Sequence, residues 1–510
     1  EAEVLEVRVL RRAVDAREGV RFVYTLRAAV KNEKNVLKRC KNKNVSPVSE
    51  TPYRLPDPVD SPEVPPVVVG AGPGGLFCAL ALAQCGARPI LLERGWNVER
   101  RAEDVERFWE TGTLDPESNV QFGEGGAGAF SDGKLNTGTR DMRHRFILET
   151  LTAHGAPESI LCDAKPHVGT DYLRKVLVSL RRELTELGCD IRFGHRLTGL
   201  ELKDGHVAAL EVNGPEGTYR LPVENVVLAL GNGARDTFEM LHAAGVPMEP
   251  KPLAVGVRIE HRQADIDLAQ YKSMAGHPRL PASSYKLSCH LENGRGVFSF
   301  CVCPGGEVVA AASEEARAVT NGMSRYARDG ENCNGGLLAS VTPADFPDGG
   351  PLAGIAFQRE LEARAYAAGG GGHVAPVQRV EDFLLRRPSR GPGKVRPTYR
   401  PGVRWCDLWE VLPQWLCESL AEALPILDKK VRGYAGPDAV LTAVESRSSC
   451  PLRILRDENA RSPIGGLWPC GEGAGYAGGI MSAAADGLKM AEQILKCAPS
   501  RTASRPRQGE

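Results

Sequence analysis

Charge of one sign is missing from this chain: 64 Lys and Arg balance 64 Asp and Glu, for a formal net charge of +0. No long-range field therefore draws the whole molecule onto nucleic acid or an anionic membrane. Long apolar runs are missing too. A spanning helix needs roughly 20 consecutive apolar residues, and the best candidate, residues 67–92, is broken by five glycines and ends against Glu93 and Arg94. Cysteine is sparse, with 14 residues in 510, too few for a disulfide framework. No CxxC occurs. The nearest approach is Cys301-Val302-Cys303, so neither a zinc site nor a dithiol redox pair is expected, and the thiols read as free structural groups. The first residues carry no basic segment followed by an apolar one, so the chain reads as trimmed or truncated rather than as opening on a secretory signal.

What is present fits an ordinary globular protein: 42% hydrophobic and 25% charged residues, over a length suggesting two to four packed units at roughly 150 residues each. Glycine and proline are abundant, 56 and 36, and belong in turns and where backbone approaches a ligand closely. Residues 1–45 read as a small α+β unit, strand, helix or turn, then strand, with Val4, Val7 and Val9 alternating against Glu6 and Arg8, and Phe22, Tyr24 and Leu26 alternating likewise. A basic run from Lys31 follows, read as solvated linker, and then a Pro-rich linker at 46–66. Residues 498–510 read as a disordered tail.

The chemistry starts at the turn Gly70-Ala71-Gly72-Pro73-Gly74-Gly75. It follows the apolar triplet Val67, Val68 and Val69 and opens a helix carrying Leu76, Phe77, Leu80 and Ala83 on one face. Gly86 stops that helix, and a second buried strand, Ile90 to Leu92, leads to Glu93. This is a G-x-G-x-x-G in its proper βαβ setting. Gly70 permits the tight turn, Gly72 lets backbone N–H groups reach a pyrophosphate, Gly75 lets helix pack on strand, and Glu93 is placed for ribose hydroxyls. A second Gly-rich turn, Gly471-Glu472-Gly473-Ala474-Gly475-Tyr476-Ala477-Gly478-Gly479-Ile480, lies far along the chain between an apolar stretch and a helix. Two such turns so far apart suit a large cofactor held from both ends, FAD rather than NAD alone, with Glu472 available to a ribityl hydroxyl and the helix N-terminus facing the flavin.

These two segments, together with Asn119 to Leu135, Ser299 to Val309 and Thr320-Asn-Gly-Met-Ser, resemble a family of uncharacterised FAD-dependent dehydrogenases found in bacteria and, with plastid targeting, in plants and algae. The likeness spans most of residues 1–495 and includes Asp15-Ala-Arg in the N-terminal unit. It implies an α/β, glutathione-reductase-like fold in which a Rossmann-like FAD/NAD(P)-binding domain, residues 67–245 and 441–497, is assembled around an inserted, mainly β (α+β) substrate domain at 246–440, and a soluble protein of plastid stroma or cytoplasm. Carried over residue by residue, the first FAD loop falls on Gly70 to Gly75 with Glu93 and Arg94. The terminal loop falls on Gly471, Glu472, Gly478, Gly479 and Ile480. The resemblance sets the Gly123 to Lys134 segment against the isoalloxazine, with Gly125, Gly126, Ser131, Asp132 and Lys134 as its cofactor contacts and a structural loop as the alternative, and it adds Gly231 to the cofactor-binding set. Two departures stand out. Asn232-Gly233 replaces the family's His-Ser, which removes a candidate acid-base His, and Ser446, Ser448 and Cys450 replace Thr, Thr and Ser.

The sequence supports an FAD-dependent oxidoreductase acting on a small organic molecule. NAD(P)H is a candidate external electron donor, although no second complete G-x-G-x-x-G with a placed acid is present, which argues against a dedicated NAD(P)-binding domain of the disulfide-reductase type. No Cys pair follows the first loop, so a disulfide reductase drops out. A flavin monooxygenase and a non-catalytic FAD-holding protein are the alternatives. The catalytic residues are not identified by sequence. Glu445, Arg447 and His290 are acid-base candidates, with a Glu445–Arg447 ion pair as the plain structural reading of the first two. Arg386 to Arg404 carries seven Lys or Arg and offers a grip for an anionic ligand or, more simply, a solvated loop.

Overall fold

The computed structural model describes residues 3–48, 52–138 and 140–497, so the tail expected at 498–510 lies outside the described residues. Five short parallel strands form the sheet that positions the site, in the order Leu467–Pro469, Val226–Leu228, Val67–Val69, Ile90–Glu93, Asp190–Phe193. The three inner strands are runs of Val, Leu and Ile up to Glu93 because parallel strands are covered on both faces, whereas the edge strands read Leu-Trp-Pro and Asp-Ile-Arg-Phe. The chain enters at the central strand, Val67–Val69, runs outward on one side to residue 193, and returns on the other side at Val226–Leu228. The sheet thus reverses direction between Val67–Val69 and Val226–Leu228, and the carboxyl ends of strands at such a switch point open a crevice.

Two helices pack together on this sheet. Pro73–Gln84 and Ile480–Cys497 touch through glycine: a Cβ on Gly487 would lie 2.0 Å from the Gly74 carbonyl oxygen, and one on Gly74 would lie 3.3 Å from the Ala483 carbonyl oxygen. The absent side chains are what allow the backbones to meet. A second sheet of seven strands runs Ser288–His290, Gly296–Cys303, Asn332–Val341, Leu253–Arg262, Val440–Glu445, Ala375–Arg379, Val403–Trp405. The helices Ala353–Gly369 and Gln414–Asp428 cover it and share its core. The expected strands at 254–259 and 296–311 are seen as Leu253–Arg262 and as two strands, Gly296–Cys303 and Glu307–Ala310, which belong to different sheets.

The N-terminal segment differs from its expectation. Val4–Asp15 and Arg21–Val30 pair directly as an antiparallel ribbon joined by a turn, one of the two connections expected, whereas the helix Glu33–Arg39 lies where solvated basic linker was expected. Alternating apolar residues normally mark one buried face, yet Val4, Val7, Val9, Tyr24 and Leu26 are all exposed. The ribbon meets the rest of the chain through Arg12, which pairs with Asp163 at 2.7 Å. No helix among the described residues is long and apolar enough to cross a membrane.

Candidate functional site

A cavity of about 380 Å³ opens at the carboxyl ends of the parallel strands. Gly70 sits at φ +104°, and a Cβ there would lie 2.3 Å from the Ala229 carbonyl oxygen, so the turn leaving Val67–Val69 hugs the neighbouring strand. Gly75 fills the packing role, since its Cβ would meet the Gly70 carbonyl oxygen at 1.8 Å. Gly72 is different: its φ is −75°, and the nearest atom to a Cβ at that position would be 3.9 Å away, on Gly126. Gly231, Gly478 and Gly479 likewise have nothing within 4 Å on that side. Four glycines thus leave room that side chains would occupy, and all four line the cavity. No side chain caps the N-terminus of Pro73–Gln84, which leaves backbone N–H donors and the positive end of the helix dipole for an anion.

The loop between residues 119 and 134 closes over both helix starts. A Cβ on Gly128 would touch Ile480 at 3.2 Å and Pro73 at 4.0 Å. Glu93 fastens this arrangement. One of its carboxylate oxygens accepts from the N–H groups of Gly95 and Gly123, both at 2.9 Å, and the other accepts from the Ala71 N–H at 2.8 Å. A carboxylate has about four lone-pair sites, so Glu93 retains acceptor capacity toward the cavity it lines while spending most of it on the backbone. Arg101 does the complementary work. Fully buried, its guanidinium donates to the carbonyls of Asn119, Val120, Gly123, Glu124 and Gly126 at 2.7 to 3.1 Å. Burial lowers its pKa to about 10, still well inside the charged range at neutral pH. Arg94 stacks 4.0 Å from the Phe122 ring centroid and pairs with Glu117 and Asp236.

At the other end Asp486 orders the second Gly-rich turn by accepting from the Gly471 N–H at 2.7 Å while pairing with Arg456. Glu472 accepts from Asn232 at 2.7 Å, and burial raises its pKa to about 7. The residue that replaces the expected His is therefore a partner of Glu472. Asp132 is buried and pairs with Lys134 at 3.0 Å and Arg328 at 2.5 Å. Burial opposes its charge, but the two cations prevail and hold its pKa down to about 2. Ser131 donates to the Gly128 carbonyl and accepts from the Gly133 N–H, which shapes the loop.

Of the residues expected from sequence to hold the cofactor, all line this one cavity except Ala71, Gly75 and Gly125. Those three act behind it. Ala71 links Glu93 to the Gly125 N–H, Gly75 is packed as described, and a Cβ on Gly125 would run into Leu177 at 2.4 Å. Among the acid-base candidates, Glu445 and Arg447 line the cavity, but they do not pair with each other. Glu445 pairs with Arg258 at 2.9 Å, and burial raises its pKa to about 7 against that cation. Arg447 pairs with Glu362 at 3.0 Å. His290 is exposed at a sheet edge away from the cavity. The basic stretch 386–404 does not reach the cavity either: Arg387 pairs with Asp382, Arg400 with Glu106, and Arg386 packs on Trp409. Sequence reasoning missed Arg101, Arg258 and Asp486, each of which acts on backbone or charge remote in the chain and leaves no local signature.

The cavity's features fit an extended dinucleotide: two Gly-rich helix starts meet over open backbone, an acid stands at the end of the second strand, and apolar walls complete the cleft. Comparison with known proteins gives the same class. Residues 252–448 match the family model described as FAD-dependent protein, C-terminal domain-like. An uncharacterized protein of Clostridium beijerinckii is 45% identical over 500 residues, covering 97% of this chain and 93% of its own length. A 12-dehydrotetracycline 5-monooxygenase/anhydrotetracycline 6-monooxygenase of Streptomyces rimosus is 30% identical over 182 residues, 33% of this chain and 31% of that protein. The solved E. coli quinol fumarate reductase aligns over 89% of this chain and 72% of its own at 13% identity, with a TM-score of 0.39, a likeness too slight to argue from. The near full-length identity with the Clostridium protein shows that this chain belongs to the same family as that protein, and within it residues 252–448 match the FAD-dependent protein C-terminal domain.

Proposed function

We propose that the chain is an FAD-dependent oxidoreductase of glutathione-reductase-like architecture, with a nucleotide-binding unit assembled from residues 67–245 and 441–497 around a substrate unit at 246–440, corrected at one boundary because the strand Val440–Glu445 belongs to the seven-stranded sheet of the substrate unit. The observation that carries this reading is the meeting of two Gly-rich helix starts, at Pro73 and Ile480, from opposite ends of the chain over one cleft. In it, Gly70, Gly72 and Gly74 would take the pyrophosphate, Glu93 the adenosine ribose, and Gly471, Glu472, Gly478 and Gly479 the far end, while Gly126 and Lys134 would flank the ring. Bound there, FAD would supply two-electron chemistry, and the chain's own task is to orient a small organic substrate, exclude water and manage protons.

Glu445 suits the proton task. Its carboxyl faces the cavity and, raised to about 7, holds or releases a proton at neutral pH. Lys134 and Arg447 contribute positive charge on the same wall, which favours an anionic or electron-rich substrate. NADH or NADPH serves as external donor. The test is anaerobic: the purified yellow protein is titrated with each nicotinamide, and its flavin bands bleach with one of them and return with an acceptor. Bleaching by dithionite alone, with no turnover of any acceptor, would overturn the reading in favour of a non-catalytic FAD-holding protein. The partial identity with the Streptomyces monooxygenase favours a second reading, hydroxylation, which would announce itself as steady peroxide release with oxygenated product.

A further inference from the structure

The wall of the cavity formed by the second sheet carries two thiols that the reading above leaves unused, gathered at Lys134. Gly296–Cys303 runs toward the cavity and breaks its register between Phe300 and Cys303. Within that irregularity Cys301 stands at φ +40°, a left-handed conformation that a non-glycine residue adopts rarely. The bulge aims two thiols at one cation. The Lys134 ammonium lies 3.9 Å from the Cys301 sulfur and 3.8 Å from the Cys303 sulfur. Arg258 adds a second cation, 3.7 Å from the Cys303 sulfur, while also donating to the Cys301 carbonyl at 2.9 Å. Cys301 lines the cavity and Cys303 is wholly buried behind it.

The two thiols are unlike. The adjoining Cys303 thiol, then Lys134 and Arg258, hold the Cys301 thiol well below its ordinary range, while Cys303, raised well above its own by Cys301 and by burial, keeps its proton and donates it to the Cys301 carbonyl at 3.4 Å. Elsewhere in the chain burial moves thiols the other way, and Cys333 and Cys450 are pushed up to about 12. A cavity-facing thiolate beside a buried, protonated thiol is the division of labour that thiol–disulfide exchange requires. Cys301-Val302-Cys303 carries no CxxC signature, and only the bulge brings both sulfurs to Lys134.

We propose that Cys301 and Cys303 form a redox-active dithiol that reduces a small disulfide entering this cavity. The Cys301 thiolate attacks one sulfur of the disulfide R–S–S–R, the S–S bond breaks, and one thiolate leaves. Cys303 then gives up its proton and attacks the Cys301 sulfur, and the second thiolate leaves. The first departing thiolate takes from solvent the proton that Cys301 released on ionising and the second takes the proton that Cys303 gives up, so one protein disulfide forms and one external disulfide becomes two thiols. Lys134 is a positioning residue that stabilises the attacking thiolate. The exchange needs no flavin and stands apart from the FAD reading.

The experiment uses the full-length protein, reduced, freed of reductant and exposed to oxidised glutathione at pH 7. Intact mass and peptide mapping read the product. The expected wild-type result is loss of two hydrogens per chain and a cross-linked Cys301–Cys303 peptide. Cys303→Ser should stop at one glutathionyl group on Cys301, and Cys301→Ser should give neither product. Lys134→Met should slow the reaction at least tenfold at pH 7 and shift its pH profile upward, a change that a merely structural lysine would not cause. Glutathionylation spread over other cysteines with Cys301 intact, or a Cys303→Ser product identical to wild type, would overturn the proposal. The wild-type peptide map decides the matter by itself should a variant fail to fold, and flavin content, measured in parallel, reports the FAD reading separately.

Discussion

Replacing Glu93 by Gln keeps its shape and removes one acceptor from a group that holds three backbone N–H donors. If the amide oxygen takes the place of the oxygen bound to Gly95 and Gly123, the amide nitrogen faces the Ala71 N–H and orphans it. If the side chain flips, two donors are orphaned. The first arrangement costs less and sets the expected loss at about 1–3 kcal/mol for one unpaired buried donor, with further weakening because the surviving bonds lose charge assistance. Because the three donors belong to the first turn, the end of the second strand and the 119–134 loop, the loss loosens all three together. Hydrogen exchange read by mass spectrometry should show faster exchange in the peptides covering Ala71, Gly95 and Gly123, by roughly 5- to 150-fold, the range that 1–3 kcal/mol corresponds to at 1.4 kcal/mol per decade. Bound flavin should fall in the same variant. Exchange unchanged in all three peptides, with full flavin content, would refute the role given to Glu93.

Gly72→Val should leave folding nearly intact, since its φ of −75° suits any residue and its Cβ side is open, but yield colourless protein by filling the space reserved for ligand; a full flavin complement by absorbance would contradict this. Gly487→Val should do the reverse and prevent the two helices from closing, because its Cβ would lie 2.0 Å from the Gly74 carbonyl oxygen, and soluble expression with a wild-type melting temperature would contradict it. Arg101→Met should orphan five carbonyls and lower the melting temperature markedly, a buried-network loss of more than about 4 kcal/mol. Glu472, raised from 4.5 to about 7 in the folded state, is protonated in both folded and unfolded chains below that window and ionised in both above it. Its contribution therefore falls as pH rises from about 4.5 to 7, and the melting temperature of apo Glu472→Gln should decline less over that interval than wild type.

Much of the site was legible because its signals are local. The turn at Gly70 to Gly75, the strand before it and Glu93 after it fall within one βαβ unit, where spacing alone fixes geometry. The second Gly-rich turn was legible in the same way, and both turns line one cavity. What stayed hidden depends on contacts between distant segments. Nothing near Arg101 announces that five carbonyls of another loop surround it, and nothing near Cys301 announces Lys134. The supposed Glu445–Arg447 pair failed for a related reason. Residues i and i+2 near a strand end are steered by whatever packs beside them, and here Arg258 and Glu362 compete successfully for each. The N-terminal ribbon misled through its alternation, which signals burial only when a second layer exists to receive the apolar face.

The central strand of the parallel sheet is made early in the polypeptide and one outer strand very late, at Leu467–Pro469. During synthesis at about 5–20 residues per second, the early glycine turn must wait tens of seconds on the ribosome for the helix that completes it. Through that interval the buried glycine face of the first helix is bare, and a chaperone or an early-arriving nucleotide has its longest opportunity to act there.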